Sequence, residues 1–169
     1  TSLIDLDKNI PVISEEKKIC KEAFMEKVYW LIDPIDGTSN YINGGKEYTI
    51  NIALIENGTP TIGVIAHPPS QKIWFALGKK LFIFDTINNN KKKVETINMN
   101  INSPTIIISK EKNKKTEKFV NNIKNKKIIY ISSSLKFCYL ASRKAILYPR
   151  FSVIKKWDIA AGHAILKAS

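Results

Sequence analysis

Residues 48–84 contain four short apolar segments separated by turn-forming residues, and this pattern is the strongest constraint on the fold. The segments are YTINIALI, TIGVIAH, KIWFAL and LFIF, and NGTP, PPSQ and GKK lie between them. Apolar runs of roughly four to eight residues between such turns are typical of β-strands. The Asn57-Gly58 dipeptide after the first segment is a strong hairpin signal. The sequence therefore predicts an antiparallel meander.

Strand and helix patterns alternate after residue 104, and further elements precede the meander. The predicted strands are IPVIS at 10–14, VYWLI at 28–32, TIIIS at 105–109, KIIYIS at 127–132 and ILYPRF at 146–151. The predicted helices cover residues 17–28, 115–125, 134–145 and 157–169. This order predicts a layered α/β fold. The polar tract at 87–104 is expected to divide it into an antiparallel-sheet, metal-binding half, residues 1–103, and an α/β half, residues 104–169.

Lysine accounts for most of the charge of the chain. The net charge is +12, and 25 of the 27 basic residues are lysines, clustered as in KEKNKKTEK at 110–118. Proteins that bind nucleic acids favour arginine for bidentate base contacts and interleave aromatic residues for stacking. Neither pattern is present, so we expect a solvated basic surface and no nucleic-acid partner.

The sequence has features of a cytoplasmic protein. No apolar run approaches the ~20 residues of a membrane-spanning helix, and the first residues do not have the pattern of a signal peptide. Cys20 and Cys138 are far apart and lack the spacing of metal ligands, so we expect reduced core thiols. The length of 169 residues is enough for one domain.

Two carboxylates, Asp33 and Asp36, lie in the stretch DPIDGT, directly after a predicted buried strand. Burying two like charges is unfavourable unless a cation lies between them. Pro34 favours an extended Asp33, and Gly37 permits backbone angles closed to other residues, so the turn can direct both carboxylates and the Ile35 carbonyl toward one point. Such oxygen ligands suit Mg²⁺. The alternative is a simple strand-to-helix turn with Asp36 as the N-cap.

Two other segments place acidic residues where helices are predicted to begin. Glu15 and Glu16 follow Ser14 in VISEE, and Asp158 opens WDIAAGHAIL. Both patterns are also those of ordinary helix N-termini. Gly162 inside the second helix costs about 1 kcal/mol relative to alanine, which predicts close packing there. Beside DPIDGT, however, these carboxylates are candidates for additional metal ligands.

The segments SEE, WLIDPIDGTSNYI and WDIAAGHAIL, in this order, resemble the signature segments of the inositol monophosphatase superfamily of metal-dependent phosphatases. SSSLKFCYLASRKAILYPRF followed by WDIAAGHA is most similar to its bacterial 3′(2′),5′-bisphosphate nucleotidase branch. The resemblance covers residues 10–168. It implies an αβαβα sandwich, two or three Mg²⁺ ions and sensitivity to lithium. It also implies removal of the 3′-phosphate from adenosine 3′,5′-bisphosphate or PAPS, in sulfur assimilation and nucleotide turnover, and it allows peripheral association with the inner membrane.

The resemblance also implies a role for each matching residue. The implied metal ligands are Glu15, Asp33, the Ile35 carbonyl, Asp36 and Asp158, and all of these except Asp33 would also contact the substrate. The implied catalytic residues are Asp33, Asp36 and Thr38, and the backbone of Gly37 and Thr38 would bind the cleaved phosphate. Ser133, Lys136 and Arg150 would contact the rest of the nucleotide. The alternatives are that Ser133 caps a helix, Lys136 is solvated and Arg150 forms a surface ion pair.

The chain also departs from the family pattern. Ser132 stands where relatives often have glycine, and Lys112 stands near the position of a nucleotide-binding histidine. The resemblance further implies long helices before the first strand, an upstream aspartate that assists Thr38, and strands after the last helix. The sandwich is therefore expected to be incomplete at both termini. The alternatives for function are an inositol-1-phosphate phosphatase or an inactive fragment of a split nucleotidase, with the missing segments as its partners.

Overall fold

A seven-stranded sheet forms the larger part of the fold. The computed structural model describes residues 7–17, 22–94 and 102–169. The strands of the large sheet are β1 Val12–Ser14, β2 Val28–Asp36, β3 Thr49–Glu56, β4 Thr59–His67, β5 Lys72–Leu77, β6 Lys80–Asp85 and β7 Asn90–Lys93. Their spatial order follows the chain from β1 to β7. The β1–β2 pair is parallel and each later pair is antiparallel, which confirms the predicted meander.

Among the described residues, the remaining elements are a second, smaller sheet, four α-helices and two 3₁₀ helices. A second sheet consists of the parallel strands β8 Thr105–Ile108 and β9 Lys127–Tyr130. The α-helices are α1 Thr38–Ile42, α2 Lys114–Asn121, α3 Leu135–Ala141 and α4 Lys156–Lys167, and two 3₁₀ helices cover Glu22–Met25 and Pro68–Ser70. The layered α/β fold class predicted from the sequence is confirmed by this arrangement and by the structural comparisons below.

Helix α4 packs on one face of the large sheet because small residues allow a close approach. A Cβ atom added to Gly63 of β4 would lie 2.5 Å from the Ala161 carbonyl oxygen and 2.7 Å from the Ala164 Cβ. On another side of α4, a Cβ on Gly162 would lie 2.3 Å from Cγ of Phe137 in α3. The glycine in the helix is therefore explained by packing against an aromatic ring. These contacts fix the position of α4 on β4 and against α3.

The residues that face α3 and α4 form the main core. They alternate along the strands, as expected for a sheet with one covered face. The buried strand residues of this core include Ile13, Tyr29, Leu31, Ala53, Ile55, Ile65, Trp74, Ala76 and Leu81. The opposite face is also apolar but less covered: Leu77 is 59% exposed and Ile50 is 36% exposed. A smaller cluster of Ile106, Ile108 and Val120 joins β8 to α2.

Three predicted elements differ from the structure. The helix predicted at 17–28 is wrong where it is described, because Glu22–Met25 is 3₁₀ and Val28 already begins β2, while residues 18–21, including Cys20, lie outside the described residues. The strand predicted at 146–151 is reduced to a single bridge between Leu147 and Ile106. Asn90–Lys93, predicted as part of a polar seam, is edge strand β7.

The division at residue 103 stays a prediction, since residues 95–101 lie outside the described part of the chain. In the residues that are described, no helix has both the length and the apolarity needed to cross a membrane.

The packing of α4 on β4 can be tested by filling the space at Gly63. We expect Gly63→Ala to lower the free energy of unfolding by about 1–3 kcal/mol, because the added methyl group overlaps backbone and side-chain atoms of α4. Ala66→Val, a control on the half-buried opposite face of the same strand, adds two methyl groups and should still change it by less than about 0.5 kcal/mol. Urea denaturation measures both values. Equal stability of Gly63→Ala and the wild-type protein would contradict this packing.

Candidate active site

The C-terminal end of β2 carries two carboxylates of the candidate site, Asp33 and Asp36. Asp33 pairs with Asn51 of β3 and Asp36 with Thr49, and the register shifts between these pairs. The irregular backbone lets the Asp33 carboxylate accept a hydrogen bond from the amide of Ile35 (3.0 Å). The Asp33 side chain points to the covered face of the sheet and is only 1% exposed.

Two other segments bring carboxylates to Asp33. Strand β1 runs parallel to β2, and the amide of Glu15 donates to the Ile32 carbonyl (3.2 Å), so Glu15 lies beside the end of β2. Asp158 lies in the first turn of α4, where its Oδ2 accepts a hydrogen bond from the Lys155 amide (3.1 Å). Carboxylate oxygens of Glu15, Asp33 and Asp158 lie within 4.8 Å of one another. Asp158 therefore both caps its helix and joins the cluster.

This acidic cluster is electrostatically unfavourable by itself. Burial, together with the neighbouring charges of Asp36, Glu15 and Asp158, raises the pKa of Asp33 to about 8. Burial also raises the pKa of Asp158. None of the ion pairs among the described residues involves these carboxylates. A divalent cation would remove the repulsion, and converging carboxylate oxygens are the donors that Mg²⁺ prefers, so the residues present fit a magnesium site.

Asp36 is held by two residues that the sequence analysis did not select. Its Oδ2 accepts hydrogen bonds from Ser134 Oγ (2.5 Å) and Asn51 Nδ2 (3.3 Å). Both donors are buried. One available signal for Asn51 was an amide at a core-facing position of the apolar strand TINIALI. Ser134 belongs to a run of three serines before α3, and nothing in the sequence distinguishes it from Ser133.

The turn after Asp36 contains Gly37 and Thr38. Gly37 has φ +89°, and a Cβ there would lie 2.8 Å from the Glu47 carbonyl oxygen and 3.2 Å from the Ser133 Cβ, so glycine is required by both angle and space. Helix α1 begins at Thr38, whose hydroxyl donates to the Ile35 carbonyl (2.9 Å). The predicted phosphate-binding backbone thus lies between the predicted metal ligands and Ser133.

Lys136 and Arg150 lie on the same side of the site. Lys136 is buried, so the alternative of a solvated side chain is wrong; its Nζ lies 5.3 Å from the centre of the Tyr148 ring. Burial lowers the pKa of Lys136 to about 8, although the charge of Asp36 opposes this shift. Arg150 donates to the Tyr148 hydroxyl (3.2 Å) and also forms an ion pair with Glu111 (3.7 Å), which was the alternative to a nucleotide contact.

Ser133 and its neighbours form a strained turn before α3. Ser133 is buried, has φ +55°, and accepts a hydrogen bond from the Leu135 amide (3.3 Å), while Ser134 is the N-cap residue. The Glu47 carboxylate accepts from the Ser132 amide (2.7 Å) and from Lys110 (3.0 Å). Burial alone would raise the pKa of Glu47, but these two donors lower it. Glu47, also missed from the sequence, therefore anchors the serine turn.

The raised pKa of Asp33 predicts how stability depends on pH. The pKa is about 8 in the folded state and 3.8 ordinarily, so the folded protein holds more protons between these values. The free energy of unfolding of the metal-free protein should therefore fall as the pH rises from about 4 to about 8, and level off above. Asp33→Asn should remove this contribution, whereas Asp85→Asn, at an exposed carboxylate, should retain it. Urea denaturation across this range measures the slopes, and equal slopes for Asp33→Asn and wild type would contradict the assignment.

Sequence comparison supports the resemblance of the motifs. The model of the inositol monophosphatase family matches residues 5–169. The 3′(2′),5′-bisphosphate nucleotidase CysQ of Buchnera aphidicola is 39% identical in an alignment of 166 residues that covers 95% of this chain and 60% of the relative. The protein of the same name from Salmonella typhimurium is 36% identical, over 97% of this chain and 66% of the relative. The chain thus spans 60–66% of the length of these curated relatives.

Structural comparison gives the same result. CysQ from Bacteroides thetaiotaomicron, described as a bacterial member of the inositol monophosphatase family, superposes with a TM-score of 0.85 at 30% identity, over 98% of this chain and 68% of that one. SuhB of Mycobacterium tuberculosis has a TM-score of 0.78 at 22% identity, over 98% of this chain and 67% of that one, and so shares the fold. The carboxylate cluster, the fold and both comparisons lead to one conclusion: the chain belongs to the inositol monophosphatase family.

Proposed function

We propose that this protein is a Mg²⁺-dependent phosphomonoesterase that removes the 3′-phosphate from adenosine 3′,5′-bisphosphate or PAPS, giving AMP or APS and phosphate. The observation that supports this most is the buried Asp33 carboxylate inside an acidic cluster, with the cations Lys136 and Arg150 close by. The first feature favours a divalent metal, and the second favours a substrate with more than one phosphate. The names of the relatives support the same substrate class.

The metal-binding residues in this proposal are Glu15, Asp33, Asp36, Asp158 and the carbonyl of Ile35. Mg²⁺ supplies positive charge and Lewis acidity that carboxylates lack, since carboxylates alone repel a phosphate dianion. Two or three ions are proposed for this site. The chain itself contributes a rigid set of oxygens, because β1, β2 and α4 are each fixed by strand pairing or by packing.

Thr38 is proposed to orient the attacking water. Its hydroxyl proton points to the Ile35 carbonyl at 2.9 Å, which leaves the lone pairs of Oγ1 to accept a hydrogen bond from a water molecule. The amides of Gly37 and Thr38 are proposed to bind the phosphate that is cleaved. Because the Gly37 backbone lies against Ser133, the cleaved phosphate and the rest of the substrate would lie side by side.

Lys136 and Arg150 are proposed to bind the second phosphate of the substrate. The pKa of Lys136 is about 8, so the lysine is largely protonated at neutral pH, and an adjacent phosphate would favour this charged form. The Arg150 side chain is held by the Tyr148 hydroxyl and the Val153 carbonyl, which orients its guanidinium group. Guanidinium groups bind phosphate oxygens in a bidentate manner, whereas inositol phosphate carries no second phosphate to meet them.

Phosphate release tests the proposed reaction directly. We expect release from adenosine 3′,5′-bisphosphate that depends on Mg²⁺, and slower release from inositol 1-phosphate. Asp36→Asn should reduce the rate at least about 100-fold, because it removes one charge of the metal site while keeping nearly the same volume. Thermal unfolding confirms that the variant is folded. Unchanged turnover in Asp36→Asn would remove Asp36 from the mechanism, and faster release from inositol 1-phosphate would favour the inositol phosphatase alternative.

Arg150→Ala tests the proposed specificity. We expect it to lower kcat/KM for adenosine 3′,5′-bisphosphate by about 10–100-fold, the loss of a charge-assisted hydrogen bond, with little change for inositol 1-phosphate. Arg143→Ala, at the other arginine of the chain, is the matched control and should leave both substrates unaffected. Equal losses of kcat/KM on the two substrates in Arg150→Ala would contradict the assignment of this residue to a second phosphate.

A further inference from the structure

The hydroxyl group of Ser134 connects three separate segments of the site. Ser134 is only 1% exposed and lies at the N-cap of α3. Its Oγ lies 2.5 Å from Asp36 Oδ2 at the end of β2, 2.8 Å from Asn51 Nδ2 in β3, and 2.9 Å from the carbonyl oxygen of Asp158 in α4. No other described side chain hydrogen-bonds to all three of these residues.

The single proton of this hydroxyl has a preferred acceptor. Asn51 donates to Ser134 Oγ, so the serine proton goes either to Asp36 or to the Asp158 carbonyl. The Asp36 carboxylate is the closer acceptor, and hydrogen bonds to carboxylate oxygens are shorter and stronger than those to amide carbonyls. The Asn51 amide cannot be reversed, because its carbonyl oxygen would then face the Asp36 carboxylate. Ser134 and Asn51 thus both donate to the same oxygen, Asp36 Oδ2.

The two oxygens of Asp36 are therefore distinguished by the protein. Oδ2 accepts two hydrogen bonds from buried donors, and Oδ1 accepts none from the described residues. The charge of Asp36 acts on both Asp33 and Asp158, so the carboxylate is close to the acidic cluster although it is outside the group of three. Because Oδ2 is already held, the Asp36 carboxylate has little rotational freedom left to lose when it binds a cation. Its entropic cost of metal binding is therefore lower.

We propose that Ser134 is a positioning residue that, with Asn51, holds Asp36 Oδ2 so that Oδ1 is available to a divalent cation. The inference rests on the proposed function, since it concerns the same metal site. The serine turn is itself anchored by the hydrogen bond from the Ser132 amide to the Glu47 carboxylate (2.7 Å), so the backbone that carries the Ser134 side chain is held in place. Removing this hydroxyl should weaken metal binding more than it weakens the fold.

Calorimetric titration with Mg²⁺ alone tests this inference without substrate or turnover. We expect Ser134→Ala to weaken Mg²⁺ affinity roughly 10–100-fold, the usual effect of removing an outer partner of a metal ligand. Ser134→Cys should do the same without leaving a cavity, because a thiol is a weak donor that is somewhat larger than the hydroxyl. The matched control is Ser142→Ala. Ser142 caps the other end of α3 and accepts a hydrogen bond from Trp74 Nε1 (3.0 Å), so its loss also removes a hydroxyl hydrogen bond.

The outcomes separate this inference from the proposed function. Three results together support the positioning role. Both Ser134 variants bind Mg²⁺ more weakly than the wild type, and Ser142→Ala binds it with wild-type affinity. The metal-free Ser134→Cys and Ser142→Ala variants unfold at similar temperatures. Wild-type affinity in Ser134→Cys, or equal weakening in Ser142→Ala, overturns it while leaving the metal site itself in place. Absence of Mg²⁺ binding by the wild-type protein overturns both the inference and the proposed function.

Discussion

The repulsion between buried carboxylates around Asp33 determines how the rest of the site must be built. An ionised carboxylate with no counter-charge is costly to bury, and here three other carboxylates act on it. The metal-free fold lowers this cost by raising the pKa of Asp33, so that the group can hold a proton. A cation that replaces the proton would convert the unfavourable contact into the feature that holds β1, β2 and α4 together at one point. Metal affinity and pH are linked for this reason.

The cluster can exist only because small residues bring α4 close to the sheet. Asp158 reaches Asp33 because Gly63 allows the backbone of Ala161 to lie directly on β4, and because Gly162 makes room for the ring of Phe137. A bulkier residue at either glycine would move the first turn of α4 away from β2. The same packing brings the Asp158 carbonyl to Ser134, so the core and the polar site share one set of contacts.

Local patterns in the sequence predicted the meander, because its strands alternate and are separated by clear turns. They also predicted the carboxylate motif, because DPIDGT joins a strand to a helix within six residues. Elements that depend on distant partners were predicted less well. Strand β7 contains no apolar residue and was missed, since its backbone pairing with β6 alone defines it. The apolar segment around Leu147 meets β8 at a single bridge, so its apolar composition wrongly predicted a full strand at 146–151. Asn51 and Ser134 were missed because their importance lies in a contact between residues far apart in sequence.

The carboxylates of Glu15, Asp33 and Asp158 are proposed to bind a divalent cation. Crystals of the protein grown at a pH above the Asp33 pKa of about 8 and soaked in Mn²⁺ would test it most directly, because manganese gives an anomalous signal and accepts the oxygen ligands that suit Mg²⁺. We expect an anomalous peak among these three carboxylates, with a ligand from each. Well-ordered density for the three side chains without a peak between them would contradict it.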